Sequence, residues 1–266
     1  MKNKERLDKL LPELGLVDTR NKAQALIMSG KVRVNGQVIT KAGAMFSRED
    51  PITLDEISQW ASRGAKKLLR AFEVFDDLSV ANKICADFGA STGGFTDVLL
   101  SNGAAKVYAI DVGYGQLIWR LASDSRVVVM DRTNARYLTH EDFSDSIDFA
   151  SCDVSFISLR LILPVIDDVV NNNGSAVVLI KPQFEAGRGK ISKGVVRDRL
   201  IHSEVLRGII DFIEHNTKFF IHGLTHSPIT GPEGNIEFLC YLARSKSDFI
   251  PDVNNILDEA YKFFER

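Results

Sequence analysis

The sequence predicts an α/β protein, a doubly wound parallel sheet preceded by a small basic α+β module. Three observations carry this. From residue 83 onward, short apolar runs alternate with helical stretches, the pattern of parallel β-α-β units. The first run ends in a glycine-rich turn, Asp87-Phe-Gly-Ala-Ser-Thr-Gly-Gly-Phe-Thr96, and the next ends in a lone acid, Asp111. Charge is also uneven. Residues 1–48 hold ten Lys or Arg against four Asp or Glu, about +6, so with a net charge of −2 the remainder carries about −8. A basic appendage on an acidic body suggests nucleic-acid binding.

The elements follow in order. Leu7, Leu10, Leu11 and Leu14 recur at helical spacing and Gly15 ends the turn. Thr19 is a good N-cap for a second helix through Ala23, Leu26 and Ile27, stopped by Gly30. Lys31-Val-Arg-Val-Asn-Gly-Gln-Val-Ile39 alternates around Asn35-Gly36, a strong hairpin signal. Asp50-Pro51 and the polar run to Gln59 read as a linker, giving domains of 1–58 and 59–266. A basic helix begins near Ser62. Strands are then expected at 83–88, 106–111, 126–130, 147–152 and 175–180, with helices near 94–102, 115–122, 158–171 and 199–215. A last pair of strands is expected near 218–226 and 236–243. In such a sheet the ligand sits at the carboxyl ends of the strands.

The glycine spacing is not that of a dinucleotide site, which would read G-x-G-x-x-G. It resembles the S-adenosylmethionine pocket of Rossmann-like methyltransferases. That resemblance implies cofactor contacts from Asp87, Gly89, Ala90, Ser91, Gly93, Gly94 and Phe95 on the turn, and from Asp111 with Val112, where the acid would bind the ribose hydroxyls. Asp131 and Arg132, after the third strand, complete the set, Asp131 as acceptor of the adenine amino group or as a plain turn acid.

Cys152-Asp153-Val-Ser-Phe156 ends the fourth strand, where an acid faces both donor and acceptor. It lacks the Pro-Pro-aromatic signature of exocyclic-nitrogen methylation, and Cys152 reads as a packed strand residue rather than the nucleophile that pyrimidine carbon-5 requires. A ribose hydroxyl must lose its proton as it attacks. A lysine can take that proton where burial or a neighbouring cation lowers its pKa, while adjoining carboxylates orient it and act the other way. Lys181 ends the fifth strand in Leu179-Ile-Lys-Pro-Gln-Phe-Glu185 and points into the strand-end cleft, or else snorkels from it. Lys67 precedes the sheet, with Lys66 beside it. Glu237 enters an apolar strand, where an uncompensated carboxylate would be costly.

The two short helices and basic hairpin resemble the S4 RNA-binding module, which implies RNA-facing groups Arg6, Arg20, Lys22, Lys31 and Arg33. Taken with Ser62-Arg-Gly-Ala-Lys-Lys-Leu68, the glycine turn, Asp153-Val-Ser-Phe-Ile-Ser158, Lys181-Pro-Gln-Phe-Glu185 and Gly234-Asn-Ile-Glu-Phe238, nearly the whole chain resembles the TlyA family. These are ribosomal RNA cytidine 2′-O-methyltransferases with an S4-like module ahead of an FtsJ-like domain, often labelled hemolysin A. The resemblance implies S-adenosylmethionine as cofactor, ribosomal RNA in its subunits as partner, and a catalytic tetrad of Lys67, Asp153, Lys181 and Glu237. Lys181 would be the base, Asp153 and Glu237 would position it and the ribose, and Lys67 would support the cluster.

The basic, glycine-punctuated segment Glu185–Arg197 reads as a mobile loop that touches RNA phosphate. His222 and His226 lack a third ligand, so no metal is expected. The apolar runs are too short to span a membrane and three cysteines in apolar runs suit a reducing cytoplasm. Three rivals stand beside the main reading: a methyltransferase acting on another RNA or a base atom, a membrane-lytic protein as the family label invites, and a non-catalytic RNA-binding assembly factor.

Overall fold

A computed structural model describes residues 4–55, 59–187, 189, 191 and 194–265. The chain divides into two compact units, residues 1–59 and 60–266.

In the first unit, β1 (Lys4–Arg6) leads directly into α1 (Leu7–Glu13), and α2 (Arg20–Met28) follows. Thr19 caps α2 by accepting the Lys22 N–H at 3.2 Å. Strands β2 (Val32–Val34) and β3 (Gln37–Ile39) form the hairpin, with Asn35 and Gly36 both at positive φ as a tight two-residue turn requires. Then come β4 (Met45–Ser47), paired with β1, and β5 (Ile52–Leu54), paired with β2. The stretch after Asp50 is therefore not all linker: Ile52 and Leu54 pack on a core of Leu7, Leu11, Ala23, Ile27, Val32 and Val34. Three-residue strands are too short to show a period of two, which is why β1, β4 and β5 escape a reading of the sequence.

Asp8 is fully buried at the head of α1, where its carboxylate accepts from Arg6 (3.0 Å), Arg20 (3.0 Å) and Gln24 (2.8 Å). The hydrogen bond from Arg6 is the chief reason that its pKa lies far below the ordinary carboxylate value. A depressed folded-state pKa means that Asp8 stabilises the unit above its unfolded pKa of about 4, and that this contribution is lost as pH falls through the lower, folded value. Asp8→Ala is expected to lower the melting temperature of the first transition by several degrees at pH 7. The gap to the parent should close as the melts are repeated at progressively lower pH below 4. An unchanged gap across that range would contradict the assignment.

The second unit opens with α3 (Ala65–Val74), then β6 (Ile84–Phe88), α4 (Gly94–Ser101), β7 (Lys106–Ile110), α5 (Trp119–Ala122), β8 (Val127–Met130) and β9 (Ile147–Cys152). It continues through α6 (Leu163–Val169), β10 (Val170–Ile180), α7 (Pro182–Glu185), α8 (Arg199–Asn216), β11 (Phe220–His226), β12 (Phe238–Ala243) and α9 (Val253–Phe264). Among the described residues the sheet has seven strands in the order β11-β12-β10-β9-β6-β7-β8. β6 to β10 are parallel and β12 runs antiparallel to both its neighbours. Separate cores on the two faces hold the helices, one built on Phe88, Ile110, Leu163 and Leu206, the other on Leu68, Leu99, Phe149 and Leu239. The expected doubly wound sheet is what forms.

Two expected helices are shorter than their patterns suggest. The region near 115–122 is helical only from Trp119, because the preceding turn carries Gly115 at positive φ. The stretch near 158–171 is a 3₁₀ turn at Leu159–Leu161 followed by α6, and Val170 already belongs to β10. The C-terminal α9 has a plain signal that the sequence reading passes over. Asp252 caps it, and Val253, Ile256, Leu257 and Ala260 form its buried face.

Candidate active site

From β6 the chain passes outward to β7 and β8, then returns to place β9 on the other side of β6. This reversal opens a crevice at the strands' carboxyl ends, where such sheets bind ligands. A cavity of about 450 Å³ lies there, walled by Gly89 after β6, Asp111 and Val112 after β7, Thr133, Asn134 and Ala135 after β8, and Asp153 through Ile157 after β9.

Gly89 has φ +84°, and a Cβ on it would lie 3.0 Å from the backbone carbonyl of Asp153. Only glycine lets the loops after β6 and β9 approach this closely. The next turn fixes Asp111. Its Oδ2 accepts the Ser91 N–H at 2.8 Å and its Oδ1 the Gly113 N–H at 2.7 Å. Each oxygen retains acceptor capacity, so a rigid carboxylate faces the cavity, suited to a vicinal diol.

Several residues of the glycine turn sit behind this wall rather than on it. Asp87 is fully buried; it accepts from Thr96 Oγ1 at 2.7 Å and Ser151 Oγ at 2.8 Å, and burial pushes its pKa up to about 6. It ties β6 to α4 and β9 and does not line the cavity. Gly94 is needed for packing, since a Cβ there would lie 2.3 Å from Ser62 Oγ and 3.0 Å from the Ala65 nitrogen at the start of α3. Gly93 and Ala90 are buried beside it, and Phe95 belongs to the core. Asp131 lies outside the cavity wall and accepts the Gly115 N–H at 2.8 Å, while Arg132 stacks on the Tyr114 ring at 4.3 Å. In Asp131's place the wall presents Asn134, which sequence reasoning missed; a polar residue in a turn carries no mark of which way it faces.

Beyond the cavity lies a chain of charges. In β10 and β12, Ile180 pairs with Phe238, which carries Lys181 and Glu237 to adjoining strand ends. Lys67 comes from the buried flank of α3 beside Leu68 and Ala71, whereas Lys66 is exposed. Lys181 Nζ lies 2.6 Å from Asp153 Oδ1, Lys67 Nζ lies 3.2 Å from Asp153 Oδ2, and Lys67 Nζ lies 2.8 Å from Glu237 Oε2. Glu237 is fully buried and also accepts from Gln183 Nε2 at 2.9 Å. Its ion-pair partner is Lys67, which links it through Asp153 to Lys181. Burial alone would lower the Lys67 pKa, but the carboxylates of Asp153 and Glu237 outweigh it and hold the value above that of an ordinary lysine. Asp153 belongs both to this chain and to the cavity wall.

Cys152 is buried, and desolvation pushes its thiol up to about 12, so a thiolate nucleophile is unavailable there at neutral pH. His222 and His226 turn to backbone oxygens of Ser245 and Ser227. In the first unit, half-exposed Arg6 and Arg20 converge on Asp8, Arg33 pairs with Asp55, Lys22 pairs with Asp18, and Lys31 is exposed. Of the basic segment after α7, Arg188, Lys190 and Lys193 lie outside the described residues.

A family profile described as FtsJ-like methyltransferase matches residues 60–244, and an S4 domain profile matches residues 5–52. Over 267 residues the chain is 40% identical to the 16S/23S rRNA (cytidine-2′-O)-methyltransferase TlyA of Mycobacterium tuberculosis, covering 98% of each. The chain belongs to the TlyA family. Hemolysin A of Brachyspira hyodysenteriae is 44% identical over 89% of this chain and 98% of its own. A solved chain described as “Putative hemolysin from Streptococcus thermophilus” superposes with a TM-score of 0.75 at 43% identity, covering 100% of this chain and 98% of the other. The TlyA family resemblance singled out Lys67, Asp153, Lys181 and Glu237, and the fold brings these four side chains into one connected cluster.

Proposed function

We propose that this chain transfers a methyl group from S-adenosylmethionine to the 2′-hydroxyl of a cytidine in ribosomal RNA. The observation that carries this is the connected Lys67–Asp153–Lys181–Glu237 cluster, buried but for Asp153, at the edge of the strand-end cavity. The TlyA of M. tuberculosis, named for this activity, supports it.

The cavity fits the cofactor in its chemistry. Asp111 presents a fixed carboxylate for the ribose diol, Asn134 an amide for the adenine edge, and Ile110, Val112, Ala135 and Ile162 an apolar surface for the ring. Bound there, S-adenosylmethionine supplies a methyl group activated by its sulfonium. The protein's part is to deprotonate and orient the acceptor. Lys181, as the amine, takes the O2′ proton while Asp153 fixes its position. Lys67 meets the other oxygen of Asp153, so that carboxylate is held from both sides.

Rigid, half-exposed arginines on the S4-like unit suit phosphate contacts with structured RNA, with ribosomal subunits as the partner and the cytoplasm as the place of action. Asp111→Ala is expected to weaken donor binding about 10- to 100-fold, the worth of one or two hydrogen bonds to a charged group. Titration calorimetry reads this directly, and affinity within error of the parent would remove Asp111 from the site. The reading as a whole is tested by incubating the protein with isolated ribosomal subunits and labelled donor, then digesting the RNA to nucleosides. Label in 2′-O-methylcytidine is expected; label in a methylated base would replace ribose with base chemistry. Among the described residues no helix is long and apolar enough to cross a membrane.

A further inference from the structure

We propose that the Ser155 hydroxyl relays the ribose proton to Lys181, an inference that rests on the 2′-O-methyltransferase reading above. Lys181 is only 6% exposed, whereas Ser155 is exposed and lines the donor cavity. Three acceptors stand around Lys181 Nζ: Asp153 Oδ1 at 2.6 Å, Ser155 Oγ at 2.8 Å and the Asp153 carbonyl oxygen at 3.2 Å. Three acceptors match the three N–H bonds of an ammonium.

A base needs a different arrangement. The amine has two N–H bonds and one lone pair, and the lone pair must face a donor. A carboxylate and a carbonyl only accept; of the three partners, the hydroxyl alone can turn and donate. It is also the partner that reaches the cavity. Once inverted, Ser155 donates to Nζ and presents its own lone pairs to the ribose hydroxyl. The segment that carries it is held in place, because Glu185 accepts from Ser158 Oγ at 2.7 Å and from the Leu159 N–H at 2.6 Å.

The step balances. The O2′–methyl bond forms as the sulfur–methyl bond breaks and its electron pair returns to sulfur. The O2′ proton passes to Ser155 Oγ while the hydroxyl's own proton passes to Lys181 Nζ. The sulfonium charge is lost and an ammonium charge appears. Serine ends as it began, and the ammonium regains its three acceptors.

The test compares the parent with Ser155→Ala and Ser155→Thr on ribosomal subunits under single turnover. Ser155→Ala is expected to lower the rate of transfer at saturating donor and RNA about 100-fold, the lower end of the range for positioned proton transfer. Ser155→Thr keeps the hydroxyl and should recover most of the rate. In mixed light and heavy water, the parent rate should bow with isotope fraction, as two protons move together, and Ser155→Ala should give a straight line. Melting curves verify that both variants fold. If the parent methylates ribose, Lys181→Ala is slowed, and Ser155→Ala retains the parent rate or the parent inventory is straight, the relay is wrong and the assigned function stands. If the parent places no methyl on ribose, both fall.

Discussion

Methyl transfer is expected to fall about 10²- to 10⁴-fold when Lys181 is replaced by alanine, the range that a positioned general base contributes. Donor binding should survive, because Lys181 stands behind Asp153 and does not line the cavity. Lys181→Arg separates two roles that alanine confounds. A guanidinium keeps the positive charge beside Asp153 but does not give up a proton at any working pH. If Lys181 acts as base, the arginine variant stays inactive. If it acts only by attraction, much of the rate returns, and the base assignment fails. Single-turnover rates at saturating donor measure all of these.

Removal of the Glu237 carboxylate should have the largest effect on stability. Glu237→Ala leaves Lys67 buried with half its counter-charge and Gln183 Nε2 without its acceptor. Removing one partner of a buried ion pair costs about 3–5 kcal/mol. For a domain of roughly 200 residues that lowers the melting temperature by about 10 °C. A paired replacement, Lys67→Met with Glu237→Leu, removes both charges and should recover most of the loss. It should not recover activity, because Asp153 would then be held from one side only. Recovery of both stability and rate would show that the Lys67–Glu237 arm is structural alone. Calorimetric melts and methyl transfer on the same preparations decide this.

The positions of the proposed site are legible because each follows an apolar strand. Asp111, Asp153 and Lys181 all come within a few residues of runs with a clear burial pattern, and a strand's end faces the crevice in a doubly wound sheet. Ser155 lies in the Asp153 motif, but a serine two residues past an acid has no distinctive spacing and carries no sign of a role. The place of Asp87 behind the cavity wall is hidden for a related reason. This acid ends a strand just as Asp111 does, but neighbours from α4 and β9 cover it. Whether an acid at a strand end meets a ligand or a hydroxyl depends on what packs above it, and those groups come from distant parts of the chain.

What the sequence determined alone is local: the period of each strand and helix, the glycine turn after β6, the Asn35-Gly36 hairpin, and the residue types waiting at the strand ends. These follow from backbone sterics and from the alternation of apolar and polar side chains, which act over a few residues. The partnerships were decided only by the tertiary structure. Lys67, Asp153, Lys181 and Glu237 span 170 positions of chain, and which lysine takes which carboxylate depends on the antiparallel register of β10 with β12 and on the flank that α3 turns inward. Charges pair over a few ångströms of space, and distance along the chain does not specify that contact.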